Sequence, residues 1–417
     1  MFYQRKGKLT VIDFIKMLLF DHLQMSQPSL QQHSFSLLTK GGEKVSKQAI
    51  DKRFNANTVC FIKTLFENYM HRQLKPLNIP SGLKEKFKAI RIMDATSYQL
   101  PASLAEAFPG FTGDGTAACA KLQFEYELLS GKIETLCVQH ARMADKTFAA
   151  GRINTLQAGE LVLRDLGYYS VDMYKEIEEQ GAFYISRLKQ QVIIYEKKKD
   201  EYQELSYKEI IKRVRRAGQK YLDMEVYIGK ERKHRVRMIV NLLDGQAIAR
   251  RLKRKKHYKQ QLNNNDRQSC QVNIFITNVG QQTIAAENIF KIYKLRWQIE
   301  LVFKSWKSVL KIQEVRKMQV ARFQCYVYSK LLWIVISWDL CCVASADLYS
   351  QKEQLISIYK CFALLKQQAY QFEDLLFKEG SGLYKYLKKL NILLIDFAGK
   401  ETRNNRTNLI DLLVLNK

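Results

Sequence analysis

The chain has 417 residues, 47% of them hydrophobic and 11% aromatic, with 68 Lys and Arg against 41 Asp and Glu for a formal net charge of +27. That apolar content excludes wholesale disorder and is enough for two to four domains. The cationic excess runs along the whole length, which favours a polyanion held in a long groove, nucleic acid before an anionic membrane surface.

Taken in order, residues 1 to 85 read as a helical domain. Val11, Ile12, Phe14, Ile15, Leu18 and Leu19 recur at helical spacing, Gly41-Gly42 breaks the pattern, and Ser46 caps a basic helix, SKQAIDKRF. Helix, glycine turn and basic helix suggest a helix-turn-helix that reads DNA, or an ordinary helical hairpin. Pro76, Pro80 and Gly82 mark a linker. A different composition begins at Phe87. Ile90 to Met93 is a short strand, and Asp94-Ala95-Thr96-Ser97 leaves its end. Leu122 to Leu129 and Ile133 to Val138 form a hairpin in which Phe124, Tyr126 and Leu128 alternate as in a half-buried strand. Residues 145 to 156 are helical. The strand Leu161-Val162-Leu163 delivers Asp165 just before Gly167. A helix over Val171 to Glu179 and a strand over Ala182 to Leu188 follow.

Residues 191 to 270 form an insertion that reads as β-rich, with a hairpin over Tyr221 to Val240 and the basic run RRLKRKKHYK. The strand Val272 to Thr277 leads into YKLRWQIELVFKSWKSVLK, read as one helix over Tyr293 to Lys311. On it Tyr293, Arg296, Glu300, Lys304, Lys307 and Lys311 fall within roughly 80° of one another, opposite an apolar side that contains Trp306. A lone acid in a cationic stripe is also what a salt-bridge ladder looks like. Trp297 and Trp306 read as core. Beyond 320 the chain is helical, and the apolar run Leu331 to Trp338 is too short to span a bilayer and reads as a buried helix. Eight cysteines without a CxxC pair, and no signal-peptide pattern, point to a reducing cytosol. Vicinal Cys341-Cys342 reads as core filling rather than a redox centre.

Two motifs mislead. Gly113 to Ala118 matches G-x-G-x-x-A, but no strand precedes it and a hairpin follows, so no dinucleotide site is inferred. Cys137 and His140 have no second pair for zinc. No phosphate-binding Walker loop is present, and no nucleotide cofactor is expected.

Strands delivering Asp94 and Asp165 to a shared edge, with Glu300 on a helix packed across it, make an α/β layout in which three carboxylates can converge. Singly, Asp94 reads as a strand-end turn residue and Asp165 as a cap. Together they repel unless a cation lies between them, and hard oxygen ligands suit Mg²⁺ or Mn²⁺, with two ions expected. On a basic protein this points to metal-dependent cleavage or strand transfer of nucleic acid.

Tyr293, Arg296, Glu300 and Lys307 match the Y-(2)-R-(3)-E-(6)-K signature. With IRIMDAT and VLRDLGYYS, the chain resembles bacterial insertion-sequence DDE transposases of the Tn5-like, IS4-type group. The resemblance implies an α/β, ribonuclease-H-like catalytic core in two parts, 86 to 190 and 271 to 320, interrupted by the insertion. A helical C-terminal region, 321 to 417, is a candidate for dimerisation. It implies Asp94, Asp165 and Glu300 as the metal-binding triad, and Tyr293, Arg296 and Lys307 as contacts to transposon-end DNA. Lys304, Arg187 and Lys189 are further candidate DNA contacts. Members are known for cut-and-paste transposition of double-stranded DNA between terminal inverted repeats and a target, often through a hairpin, with two protomers bridging two ends. Base flipping in relatives uses an aromatic of the insertion, for which Tyr207, Tyr221, Tyr227 and Tyr258 are available here. The expected setting is cytoplasmic, at the nucleoid, without a membrane. A catalytically inactive DNA-binding protein on the same scaffold, and a nuclease without strand transfer, are the rival readings.

Overall fold

The computed structural model describes residues 8–25, 27–72, 82–111, 116–230, 233–259, 261–378 and 380–401. In chain order these form α1 (Val11–Gln24), α2 (Leu30–Thr39), α3 (Lys47–Asp51), α4 (Ala56–His71), β1 (Ala89–Leu100), β2 (Ala118–Glu127), β3 (Ile133–His140), α5 (Asp145–Ala150), β4 (Glu160–Arg164), α6 (Val171–Glu179) and β5 (Phe183–Arg187). Next come β6 (Ile194–Lys198), β7 (Glu201–Glu204), α7 (Tyr207–Ala217), β8 (Leu222–Ile228), β9 (His234–Leu242), α8 (Gly245–Tyr258), α9 (Asn264–Ser269) and β10 (Val272–Thr277). The chain then continues through α10 (Ala286–Lys294), α11 (Trp297–Ser308), α12 (Val320–Lys352), α13 (Ile358–Gln367), α14 (Ala369–Leu376) and α15 (Gly382–Phe397). Two compact units result. The first comprises Met1–Ile79, Ala95–Met143 and Gln298–Ile410 as far as these are described, the second chiefly Pro80–Asp94 and Ala144–Trp297. The chain passes between them inside β1 and again at the start of α11.

In the first unit, α12 is the axis. It runs for 33 residues, long and apolar enough by length and composition to cross a bilayer, well beyond the apolar run from Leu331 to Trp338. Trp333, Ile334, Val335 and Trp338 are buried, and α1, α4, α13 and α15 pack along it. Ser46 caps α3 as expected, accepting from the Ala49 amide, but the helix is only 5 residues long. Arg53 and Phe54 already belong to the turn before α4, so the basic recognition helix expected over Ser46 to Phe54 is one short turn. The linker prolines Pro76 and Pro80, and Gly113 to Gly115 of the glycine motif, lie outside the described residues. Strand β2 follows that motif. β2 pairs antiparallel with β3, with a bulge between Glu125 and Tyr126. All ten β2 residues are buried, not alternate ones, because helices cover it: Phe124 meets Trp306 of α11 and Trp338 of α12 edge-on. Cys341 of α12 is disulfide-bonded to Cys361 of α13, which corrects the reading of Cys341 as simple core filling. Spacing along one helix carries no information about a partner on the next.

The second unit is built on the strand order β1-β4-β5-β10-β9-β8-β6-β7. β1, β4 and β5 are parallel, and β10 runs antiparallel to both β5 and β9. Its core gathers Val162, Tyr174, Ile177, Tyr184, Ile210, Val226, Met238 and Ile276. Helix α6 and strands β5 and β10 fall where the hydrophobic runs place them. The expected helix over 145 to 156 is α5 followed by a 3-10 turn at Ile153–Thr155. The β-rich expectation for 191 to 270 needs correction: α7, α8 and α9 accompany β6 to β9. The inserted strands β9, β8, β6 and β7 extend the sheet beyond β10. Capping signals mark those helices. Ser206 and Glu209 form a reciprocal capping box on α7, and Asp244 and Asn263 cap α8 and α9.

Candidate active site

The two aspartates are delivered by the parallel pair at the head of the second unit. Buried runs Ile90–Met93 and Leu161–Arg164 pair in register up to Met93 opposite Arg164. Asp94 and Asp165 are the next residue on each strand, and neighbouring strands lie about 4.8 Å apart. Asp94 does not leave a strand end, because β1 continues to Leu100; Thr96 and Tyr98 suit a strand and carry it on. Asp165 does leave β4, into the 3-10 turn Leu166–Tyr168. Its side chain makes no capping hydrogen bond there. Among the described residues it makes no hydrogen bond or ion pair at all, although it is half-buried.

Two signature residues are wired onto these strands. Arg296 Nη1 lies 3.1 Å from Asp94 Oδ2. The Tyr293 hydroxyl donates to the carbonyl of Arg164, the residue before Asp165, at 3.1 Å. Tyr293 is buried rather than at the open end of a stripe, and its ring meets Phe275 of β10 edge-on. Burial pushes its phenol up to about 12, with Arg296 and Arg187 opposing the rise and Asp165 adding to it. Arg187, half-buried at the end of β5, therefore stands within electrostatic reach of this group, while Lys189 is exposed beyond it. The sequence reading missed Tyr168 and Asp145. The buried Tyr168 phenol is raised chiefly by its burial and then by Asp145, Asp94 and Asp165, with Arg164 opposing. Asp145 opens α5 with no distinguishing motif, and only the fold brings it near.

The remaining candidates belong to the first unit. Glu300 is half-buried in the first turn of α11, where the positive helix end favours a carboxylate. Lys307, half-buried two turns further along the same face, donates to the Ser97 carbonyl at 3.3 Å. Desolvation lowers its pKa, with Cys119 opposing. Lys304 is exposed. The single helix expected over Tyr293 to Lys311 is broken. α10 ends at Lys294, and Leu295 and Arg296 form a tight turn, their amides bonded to the carbonyls of Ile292 and Tyr293. Helix α11 ends at Ser308, and Lys311 has a positive φ of 52°. The one-face projection therefore fails at Arg296. Trp306 is core as expected, but Trp297 is exposed, because it begins a new helix rather than continuing the old one.

Among the described residues no group of three His, Cys, Asp or Glu side chains is drawn together closely enough to hold a metal ion. Cys137 and His140 are both half-buried on β3. Of the insertion tyrosines, Tyr207 is buried, Tyr221 and Tyr227 are half-buried, and Tyr258 is largely exposed at the end of α8.

Residues 85–336 match the family model described as Transposase DDE domain. Over 430 aligned residues the chain is 29% identical to the transposase for insertion sequence element IS231E of Bacillus thuringiensis subsp. finitimus, covering 99% of this chain and 90% of that protein. It is 27% identical to the transposase for insertion sequence element IS1151 of Clostridium perfringens, covering 100% and 92% respectively. A piggyBac transposase solved as a synaptic complex with hairpin DNA aligns over 98% of this chain and 79% of that one, at a TM-score of 0.46 and 9% identity, too loosely to carry an argument. With the family match spanning more than half of its length, the chain belongs to the DDE transposase family, enzymes that act on DNA.

Proposed function

We propose that this transposase cuts the ends of an insertion sequence and joins them to target DNA, as the names of its IS231 and IS1151 relatives suggest. The core is read as ribonuclease-H-like. The antiparallel hairpin β2–β3 and the parallel trio β1, β4, β5 support that reading.

One observation carries the assignment. Among the described residues Asp165 presents a half-buried carboxylate with no hydrogen bond or ion pair, beside an Asp94 reached from the adjoining strand. Hard oxygen donors of this kind suit Mg²⁺ or Mn²⁺, and Asp94, Asp165 and Glu300 are the proposed ligands of two such ions. A bound ion supplies Lewis acidity at the scissile phosphate and an activated hydroxyl nucleophile. The chain's own residues do the rest. Arg296 fixes Asp94 and neutralises part of the acidic pair. Tyr293 ties the end of β4, and so the direction of Asp165, to the end of α10. Arg187 and Lys189 in one unit, and Lys304 and Lys307 in the other, are assigned to phosphates of the transposon end. The Y-(2)-R-(3)-E-(6)-K grouping, the IS4-type placement, a homodimer bridging two ends and a cytoplasmic, nucleoid setting are parts of the same reading.

The test is a supercoiled plasmid carrying the cognate inverted repeats, incubated with Mg²⁺ or Mn²⁺ and wild type, Asp165→Asn or Glu300→Gln. The proposal expects release and joined products from wild type alone. Equal release by the variants refutes the triad, and cleavage without joined products reduces the protein to a nuclease.

A further inference from the structure

Helix α8 carries Arg250, Arg251, Lys253, Arg254, Lys255 and Lys256, and none of its residues is buried. A helix without a buried apolar stripe needs another attachment. Its cations provide one. Arg251 donates to the Val272 carbonyl at 2.8 Å and to the Asn273 side chain. Lys255 meets the buried Asp266 carboxylate at 2.8 Å, and Lys259, just past the helix end, meets it at 3.2 Å. Lys255 also donates to Gln190 at 2.5 Å. Positions 251, 255 and 259 share one side of a helix, within about 80°.

The other side is different. Arg250, Lys253 and Arg254 cluster within about 100° of one another, opposite those anchors. All three are exposed, and among the described residues none makes a hydrogen bond or ion pair. His257 and the exposed Tyr258, in ring contact at 5.2 Å, end the helix. A solubilising surface intersperses both signs of charge, whereas here the acid that faces the helix, Asp266, is paired with the anchors. Arg187, at the end of β5, lies within electrostatic reach of both Arg251 on the anchored side and Tyr293 in the candidate site.

We propose that the outward side of α8 grips the sugar-phosphate backbone of duplex DNA next to the candidate active site, sensing charge rather than base sequence. This rests on the transposase reading and adds a surface to it that the signature residues do not include. From Arg250 to His257 the stripe is about 10 Å long at 1.5 Å per residue, enough to face about two or three phosphates.

The test uses the full-length protein and a labelled random duplex of about 30 base pairs, titrated across a salt series. The triple variant R250Q/K253Q/R254Q is expected to lose about two to three units of slope in log affinity against log salt, and about tenfold or more in affinity near 0.1 M salt. The same loss is expected on a duplex bearing the element's end, with thermal unfolding unchanged. A control, K385Q/K388Q/K389Q, removes three cations from α15 and is expected to change the slope by less than about one unit. An unchanged slope in the α8 variant, or an equal loss in the control, overturns the proposal while leaving the transposase reading in place. Cleavage that survives in Glu300→Gln overturns the triad and leaves the α8 surface standing. A wild type that binds no duplex overturns both.

Discussion

Asp165→Asn tests the reading most sharply, because stability and activity should move in opposite directions. Asn is nearly isosteric, and among the described residues the Asp165 side chain makes no hydrogen bond or ion pair that could be lost. What changes is its repulsion with Asp94. Two unit charges about 5 Å apart repel by about 1 kcal/mol in water and about 3 kcal/mol at a protein-surface dielectric of about 20. Arg296, 3.1 Å from Asp94, already offsets part of this. A net gain of about 1 kcal/mol is expected in the metal-free protein, a rise of about 2 °C in melting temperature. Mn²⁺ at about 100 times its dissociation constant should stabilise wild type by about 2.7 kcal/mol, and the variant should lose most of that while failing to cleave. Asp94→Asn is expected to behave differently without metal, losing about 1–2 kcal/mol because it breaks a partly buried ion pair. Melting curves with and without Mn²⁺ read all of these. If Asp165→Asn is destabilised by more than about 1 kcal/mol and keeps the wild-type Mn²⁺ response, the carboxylate is structural and the active-site assignment fails.

Glu300→Gln should reduce end cleavage by at least about 10³-fold, some 4 kcal/mol of barrier, with an unchanged circular dichroism spectrum; residual cleavage within about tenfold of wild type removes Glu300 from the chemistry. Tyr293→Phe deletes the donor to the Arg164 carbonyl and should cost about 1 kcal/mol of stability, read from the urea midpoint, together with a loss of cleavage. No change in either would show that this tie does not position Asp165. Burial, reinforced by Lys330, holds the His22 imidazole down at about 3 against an ordinary value of 6.5. The unfolded chain therefore takes up the proton first. The contribution of His22 is complete above about pH 6.5 and is lost as the pH falls towards 3, by about 2 kcal/mol between pH 7 and pH 5. His22→Gln should flatten that part of the urea-midpoint profile, and an equally steep profile in the variant would assign the acid sensitivity elsewhere.

The elements that face a core on both sides were the most legible. Ile90 to Met93, Leu161 to Leu163 and Val272 to Thr277 are compact apolar runs, and each is a strand in the structure. The acids that end two of those runs were legible for the same reason, since a carboxylate marks where double-sided burial stops. Periodicity misled where good helix formers span a turn. Leu295 and Arg296 suit a helix in isolation, so nothing local announced the break between α10 and α11. The alternation in β2 suggested one wet face, but α11 and α12, far away in sequence, cover it.

By itself the sequence determined the chemical inventory: a strongly basic chain, acids directly after two buried apolar runs, and a spaced Tyr, Arg, Glu and Lys near the end of the core. Those follow from residue type and short-range spacing, which the chain carries without folding. Only the tertiary structure decided what each group is attached to. It set Asp94 against Arg296, left Asp165 without a hydrogen bond or ion pair among the described residues, buried Tyr293 against the Arg164 carbonyl, brought Asp145 towards Tyr168, and divided the cations of α8 into anchors and an outward stripe. Pairing across strands and helices depends on register and packing between distant segments, and no local pattern encodes it.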